Sequence, residues 1–226
     1  PFMDKHKLPA AVNYDFEIPN VLAVLQDEDL RANYDFWLEF EVFGVPYAAQ
    51  KEIKGCEGIS STFYGSLSFT AGNATGAQPE VGKVFLLPLA SGERLNNYDA
   101  TDKKGETTRI FNFGIEETID DAKFFLITSN HGAGRNGEEY VRRWHYVYFN
   151  GDQVLKYKPG GKSCEPFRGV NTQRNGIYGR EPKSETDWTS WNNWCPGDKI
   201  PIREIDLGKL EKGSYSFEIK VPEAEF

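Results

Sequence analysis

The chain has 226 residues, a formal net charge of −8 and three cysteines. This length suits one large β domain or two smaller ones. The acidic balance argues against a nucleic-acid or anionic-membrane partner, which would require clustered Lys and Arg. No apolar run approaches the roughly 18 residues of a membrane span. Aromatic residues form 14% of the chain, with 22 Gly and a single Met, a composition typical of a β-rich extracellular domain.

Almost every periodic segment alternates with period two, as half-buried strands do. The predicted strands, in chain order, are residues 21–25, 34–42, 83–89, 108–115, 123–129, 139–149, 153–157 and 214–221. Asn150-Gly151 lies between two of them and tolerates the positive φ angles of a tight primed turn, which predicts a β-hairpin. No amphipathic helix is predicted, because residues 115–122 are too few and too acidic to form one alone.

Two stretches, residues 68–82 and 158–193, have the Gly/Pro-rich composition of loops. Cys164 and Cys195 bracket most of the second loop, and a disulfide closing it would contribute about 3–4 kcal/mol. We predict this disulfide, which requires an oxidising compartment, and Cys56 is then the unpaired cysteine. No CxxC motif and no His near a Cys are present, so no metal is expected.

The densest polar cluster begins at Asn130-His131-Gly132 and ends at Glu138-Glu139. Loops at the ends of β-sandwiches commonly present binding groups, and a carboxylate at the mouth of a strand can position a water or a sugar hydroxyl. The alternative is that both glutamates are solvated charges at the end of a strand. His145, further along that strand, is interpreted as a packed, hydrogen-bonded histidine and not as a ligand.

Two other groups leave alternatives open. Asp27-Glu28-Asp29 follows a predicted strand and is interpreted first as a turn. Trp188, Trp191 and Trp194 can stack on sugar rings or pack the loop onto the sheet.

The C-terminal half carries a specific combination of motifs. Glu139-Tyr-Val-Arg-Arg143-Trp-His145 is followed by Cys164, by the Asn/Gln-containing stretch 171–180 and by Trp194-Cys195-Pro196-Gly197. This order of motifs resembles that of the bacterial peptide:N-glycosidase F family, the amidases that remove N-linked glycans from asparagine. The resemblance implies an all-β fold of two antiparallel jelly-roll domains, each a β-sandwich, packed side by side.

The resemblance also implies a domain organisation. Residues 1–47 match the later part of the N-terminal jelly roll, residues 48–82 form an insertion or linker, and residues 83–226 form the C-terminal jelly roll. The family's earlier strands, with the aspartate regarded as its primary catalytic residue, have no counterpart in this sequence. A separate N-terminal chain segment is therefore expected as a partner, since an incomplete jelly roll would expose a sheet edge.

Individual site residues follow from the same resemblance. Glu139 matches the family's second essential carboxylate, which acts through water and sugar. Asp27, with Glu28 as the alternative, falls near a third acidic position, where the family has Glu. Arg180 matches a substrate-binding Arg, and Trp191 takes that place in an alignment without the extra residues 181–191.

Three departures from the family pattern lie close to Glu139. His131 stands near a position where the family has Trp in a Gly-rich loop, and we group it with Glu138 as substrate-binding. Gly137 and Val141 replace a cysteine pair that flanks the family's Glu.

The implied function is that of a secreted or periplasmic amidase. It would hydrolyse the asparagine–N-acetylglucosamine bond of an N-linked glycoprotein or glycopeptide without a cofactor, because carboxylates and ordered water can carry the proton transfers. A non-catalytic glycan-binding double jelly roll is the alternative. A copper monooxygenase, a third possibility by fold analogy, would need His and Met ligands, and three scattered His and one Met argue against it.

Overall fold

The computed structural model describes residues 12–40, 65–70, 86–95, 107–130, 137–138, 141–167, 195 and 197–224. The chain divides into two units, Asp15–Leu87 and Pro88–Phe226 with Pro1–Tyr14. The family-like motifs all lie in the second of these units.

The unit Asp15–Leu87 contains two short helices, α1 (Pro19–Gln26) and α2 (Glu28–Asn33). Proline suits the first helical position, where an N–H would have no partner within the helix. Asp27 separates the helices and caps α2, because its Oδ1 accepts a hydrogen bond from the Leu30 N–H at 2.9 Å. The predictions of a strand at residues 21–25 and of no helix are therefore wrong. A short apolar run fits either a strand or a helix.

The alternating segment that follows α2 also differs from its prediction. Residues 34–40 form no strand, and Trp37 is 93% exposed. Residues 86–89, the described part of another predicted strand, are irregular as well. Alternation alone does not make a strand, since a strand also needs a neighbour for its backbone hydrogen bonds. Neither helix in the described ranges has the length and apolarity to cross a membrane.

The second unit is built from antiparallel strands. Its described strands are β1 (Thr108–Ile115), β2 (Ile119–Ile127), β3 (His145–Phe149), β4 (Asp152–Tyr157), β5 (Ile202–Leu210) and β6 (Gly213–Lys220). One sheet has the order β1-β6-β3-β4, and β2 pairs with β5 in the other. The all-β prediction is confirmed, whereas the jelly-roll topology stays a prediction.

The core between the two sheets is aliphatic and aromatic. Its buried members include Val147, Ile205, Phe217 and Ile219. Phe124 on β2 packs edge-to-face against rings of the opposite sheet, with centroid distances of 5.9 Å to Phe113, 5.6 Å to Phe149 and 4.8 Å to Phe217. Such aromatic pairs add about 0.5–1.5 kcal/mol each beyond the area they bury. Phe124 therefore fastens the two-stranded sheet to the larger one.

The β3–β4 turn confirms the predicted hairpin. Asn150 and Gly151 both have positive φ, 49° and 88°, as a primed two-residue turn requires. Asn150 also bonds to β6, since its N–H donates to the Ser216 carbonyl and its Oδ1 accepts from the Ser216 N–H, each at 2.9 Å. The turn is thus anchored to the centre of the sheet.

Three strands differ clearly from the sequence predictions: β2 spans Ile119–Ile127 where residues 123–129 are predicted, β3 begins later than predicted, and β5 is not predicted. β3 begins at His145 and not at residue 139, because residues 141–144 lie outside any ladder. β5 was not predicted, because its alternation is broken near Gly208. Gly208 has φ 61° and donates its N–H to Asp206 Oδ1 at 2.8 Å, where the β2–β5 register shifts. This is a β-bulge, and glycine accommodates the left-handed conformation there.

Candidate functional site

The two ends of the second unit carry very different connections. At one end the turns are short: residues 116–118, 150–151 and 211–212. At the other end, residues 128–144 and 158–201 form the long connections. Contacts of Tyr157, the last residue of β4, show that both long connections begin at the same end of the unit. Its hydroxyl lies 2.9 Å from Thr128 Oγ1, just after β2, and its ring lies 3.8 Å from the Arg203 guanidinium of β5. We call this the long-loop end.

A buried ion pair lies at the long-loop end. Arg143 Nη1 donates to Glu138 Oε1 at 2.5 Å, and the two residues are only 4% and 8% exposed. Close to the pair, the Val141 N–H donates to the Gly137 carbonyl at 3.1 Å. Burial raises the pKa of Glu138, although the adjacent Arg143 charge acts in the opposite direction. The interpretation of Glu138 as a solvated charge is therefore wrong.

His145 lies beside this pair and is itself 2% exposed. Its Nδ1 donates to the Arg143 carbonyl at 3.2 Å, and its ring stacks on Tyr157 with centroids 4.8 Å apart. Burial, with a smaller contribution from the Arg203 charge, lowers the His145 pKa to about 4. His145 is thus neutral at pH 7, with the proton on Nδ1, and the prediction of a packed, hydrogen-bonded histidine is confirmed.

Arg142 ties the two long connections together. Its Nε donates to the Pro159 carbonyl at 2.7 Å and its Nη2 to the Gly160 carbonyl at 3.4 Å. Gly161 has φ 78°, and a Cβ there would lie 2.3 Å from the guanidinium. Glycine at residue 161 therefore leaves the space that the arginine fills.

The structure confirms the predicted disulfide. Cys164 and Cys195 form a buried disulfide with their Cα atoms 5.3 Å apart. Nearby, Lys162 Nζ lies 2.8 Å from Asp198 Oδ2, so a disulfide and an ion pair both join the two ends of the long loop. Cys56 lies outside the described residues.

The other predicted site residues are distributed as follows. Glu139, His131, Arg180 and Trp191 lie outside the described residues. Asp27 is the N-cap of α2 in the other unit, and its catalytic role stays a prediction. Of the predicted site residues, the structure therefore describes only Glu138, Asp27 and the disulfide.

Sequence reasoning missed several residues of the long-loop end: Thr128, Arg142, Arg143, Tyr157 and Arg203. The hairpin turn alone does not give Tyr157, because a regular two-residue hairpin would pair His145 with Lys156. The β3–β4 register shifts between Val147 and Tyr148, and this shift places Tyr157 opposite His145. Within the described ranges, no three side chains of His, Cys, Asp or Glu come together as metal ligands would.

A family model described as "Peptide-N-glycosidase F, C terminal" matches residues 97–226. The chain belongs to the peptide-N-glycosidase F family. The matched region contains the six strands of the described residues and the polar residues of the long-loop end. The comparison with curated proteins gives no match.

The chain is also similar to solved structures of this family. One, described as PNGF-II in the C2 space group, is 24% identical with a TM-score of 0.44, over 53% of this chain and 21% of that chain. A second, described as recombinant peptide: N-glycanase F (PNGase F), is 19% identical with a TM-score of 0.30, over 50% of this chain and 31% of that chain. The matched part thus spans about a fifth to a third of those chains.

We predict that His145 makes the protein less stable in acid. The His145 pKa is about 4 in the folded protein against an ordinary value of 6.5, so the unfolded state takes up the proton first. Stability is then full above pH 6.5 and falls as the pH drops towards 4, by up to about 3 kcal/mol at 1.36 kcal/mol per pKa unit. Urea unfolding between pH 7.5 and 4 measures the loss.

The matched variant His145→Phe keeps a ring to stack on Tyr157 but cannot titrate. It should lose the part of the pH dependence that lies between pH 6.5 and 4. If parent and variant showed the same pH profile, the assignment to His145 would be wrong.

We also predict that the Cys164→Ser, Cys195→Ser double variant is less stable by about 3–4 kcal/mol, because the disulfide closes a loop with a sequence separation of 31. Denaturant unfolding measures this loss. The control is Cys56→Ser, which should leave the stability of the second unit unchanged. A double variant as stable as the parent would contradict the prediction.

Proposed function

We propose that this protein is a peptide-N-glycosidase. The reaction is hydrolysis of the amide between asparagine and the first N-acetylglucosamine of an N-linked glycan. The water oxygen bonds to the side-chain carbonyl carbon, the carbon–nitrogen bond breaks and the nitrogen leaves with a proton as a glycosylamine. Aspartate remains in the peptide. The observation that carries the proposal is the family match over residues 97–226.

The long-loop end supports this proposal by its construction. The segment that bears Glu139 is bounded on one side by Glu138 and on the other by Arg142, Arg143 and His145, all of which have defined partners. A carboxylate acts as a general base only when it is held within hydrogen-bond reach of its water. In this proposal the buried Glu138–Arg143 pair holds the backbone next to Glu139, so Glu138 serves as a positioning residue.

The roles proposed for the remaining residues come from the resemblance. Glu139 orders the water and a sugar hydroxyl, and Arg180 binds the sugar core through the several donors of its guanidinium. His131 and Trp191 are proposed to contact the glycan. Asp27 is proposed as a further carboxylate of the reaction.

A glycan-binding module without catalysis is the second candidate, and one observation favours it. Asp27 Oδ1 is engaged in capping α2, which is a structural role. A carboxylate retained for capping needs no catalytic explanation. Retention of a glycopeptide without cleavage by the purified protein would support this candidate.

The compartment is also a proposal. The Cys164–Cys195 disulfide is compatible with an oxidising environment, and this supports a secreted or periplasmic protein.

We predict that Glu139→Gln lowers the rate of cleavage of a glycopeptide by at least about a hundredfold, since general acid–base groups contribute on that order. The amide keeps the shape of the side chain but cannot accept a proton. Mass spectrometry of the released peptide measures cleavage, because conversion of Asn to Asp changes its mass. The unfolding midpoint should stay that of the parent.

Two variants serve as controls for this substitution. Glu116→Gln removes an exposed carboxylate that lies 3.0 Å from Lys212 Nζ at the short-turn end. It should leave the rate unchanged and cost less than about 1 kcal/mol of stability, as exposed ion pairs do. Glu138→Gln should lower stability by about 3 kcal/mol or more, because it leaves the Arg143 charge buried without its counter-ion. Cleavage by Glu139→Gln at the parent rate would contradict the role of Glu139.

We predict that Arg180→Ala lowers kcat/KM for a glycopeptide by about tenfold or more, since a hydrogen bond from a charged donor contributes about 1.5–3 kcal/mol. Arg94→Ala, which removes an exposed arginine, is the control and should have no effect. The competing interpretation pairs Arg180 with Glu181 or Glu185 on the surface, where such pairs contribute little. An unchanged kcat/KM with a slightly altered melting temperature would favour that interpretation.

A further inference from the structure

The outer face of the four-stranded sheet carries a row of aromatic rings. Trp144 precedes β3, and Tyr146 and Tyr148 follow on it at alternate positions. Arg143, His145 and Val147, the intervening residues, are buried. Side chains alternate between the two faces of a strand, so the three rings lie on the face away from the core. Trp144 is 37% exposed.

Lysines lie over each of these rings. Lys156 Nζ is 4.5 Å from the centre of the Trp144 ring and 5.1 Å from that of Tyr146. Lys158 Nζ is 5.7 Å from the Trp144 ring, and Lys220 Nζ is 4.9 Å from the Tyr148 ring. The strand register agrees, because Tyr146 pairs with both Lys156 and Lys220. We call this set of rings and lysines the aromatic–lysine face.

The charge of this face is opposite to that of the chain. Its three lysines are accompanied by Glu218, which lies 2.8 Å from Lys220 Nζ, so the face has a net charge of +2 in a protein with a net charge of −8. Among the described residues, no carboxylate lies within ion-pair distance of Lys156 or Lys158. Cation–π contacts at exposed sites are weak, and a lysine stem is flexible, so these ammonium groups can turn to an anionic ligand at little cost.

We propose that the aromatic–lysine face binds glycans that end in an acidic sugar. The exposed Trp144 ring and the half-buried Tyr146 and Tyr148 rings offer flat apolar surfaces to the C–H faces of sugar rings. The Lys156 and Lys158 ammonium groups donate to a carboxylate or sulfate. A neutral glycan could stack on the rings but would form no ion pair with the lysines. An anionic membrane or a nucleic acid extends over a larger surface, so it would also meet the negative charge of the rest of the chain. A small sugar acid meets the local positive charge.

This face shares no residue with the proposed amidase site. The inner-face residues Arg143 and His145 belong to the long-loop end, whereas the outer-face residue between them, Trp144, belongs to the aromatic–lysine face. Binding is measured without turnover, so a protein that cleaves no glycopeptide can still satisfy this proposal.

The test is an NMR titration of the protein with 3′-sialyllactose, sulfated lactose and lactose, following the indole N–H of Trp144, assigned with the variant Trp144→Phe. We expect at least one of the two anionic sugars to bind tenfold or more tightly than lactose. The comparison of the two shows whether the face selects a carboxylate or a sulfate. Equal affinity for all three sugars would overturn the proposal.

Two variants locate the binding. The double variant Lys156→Gln, Lys158→Gln should reduce the affinity for the anionic sugar to that for lactose, while Lys123→Gln, which removes an exposed lysine from the two-stranded sheet, should change nothing. Cleavage of a neutral glycopeptide should be unaffected in both. Parent-like affinity in the double variant would overturn the proposal. Binding to phosphatidylserine vesicles without binding to either anionic sugar would overturn it too, in favour of a membrane partner.

Discussion

The register of the β3–β4 hairpin is the constraint on which the second unit depends. Asn150 and Gly151 close the hairpin in a turn that only positive φ angles permit, and Asn150 anchors it to Ser216 of β6. The turn, together with a register shift between Val147 and Tyr148, sets His145 opposite Tyr157. A slip of one residue would exchange the two faces of β3. The charged Arg143 would then face solvent and the ring of Trp144 would enter the space where His145 and Tyr157 stack.

The two ends of this unit are stabilised by different means. At the short-turn end, Tyr215 stacks on Phe149 and Phe113, with centroids 5.4 and 5.8 Å apart, and Thr118 Oγ1 donates to Glu211 across the two turns at 2.8 Å. The long-loop end relies on a buried ion pair, a neutral histidine and a disulfide. Buried ion pairs contribute little net stability but fix geometry when both partners are present. The short-turn end is therefore stabilised mainly by packing, whereas the contacts at the long-loop end mainly hold the loop residues in fixed positions.

The strands that could be predicted from the sequence are those that alternate regularly and also pair with a neighbouring strand along their length. β1 was predicted at its observed bounds, and β6 to within one residue, because both alternate cleanly and pair with each other along their whole length. β5 was missed because the bulge at Gly208 breaks its alternation. α1 was missed because eight residues with a short apolar run do not distinguish a helix from a strand, although Pro19 is a start signal.

The polar site was predictable in part for similar reasons. Residues 143–147 alternate in the sequence, and the alternate residues Arg143, His145 and Val147 are all buried. The partner of Arg143 was not predictable, because Glu138 and Arg143 are five residues apart and would lie on opposite faces of a continuous strand, whereas β3 begins only at His145. The disulfide was predictable because a long polar loop bracketed by two cysteines offers few other ways to be held.

Several arginines and lysines of the second unit fall into two groups that differ in what their charged ends contact. At the long-loop end, the guanidinium of Arg142 donates to carbonyl groups, that of Arg143 to a carboxylate, and that of Arg203 lies against Tyr157. These charges are bound to the protein itself, so they hold loops in place. Outside, Lys156 and Lys158 rest over aromatic rings, a weak interaction that water or a ligand can replace. Because the inner and outer residues alternate along one segment, a single hairpin both positions the long loops and presents a binding surface. Substitutions at neighbouring positions of β3 therefore affect different properties.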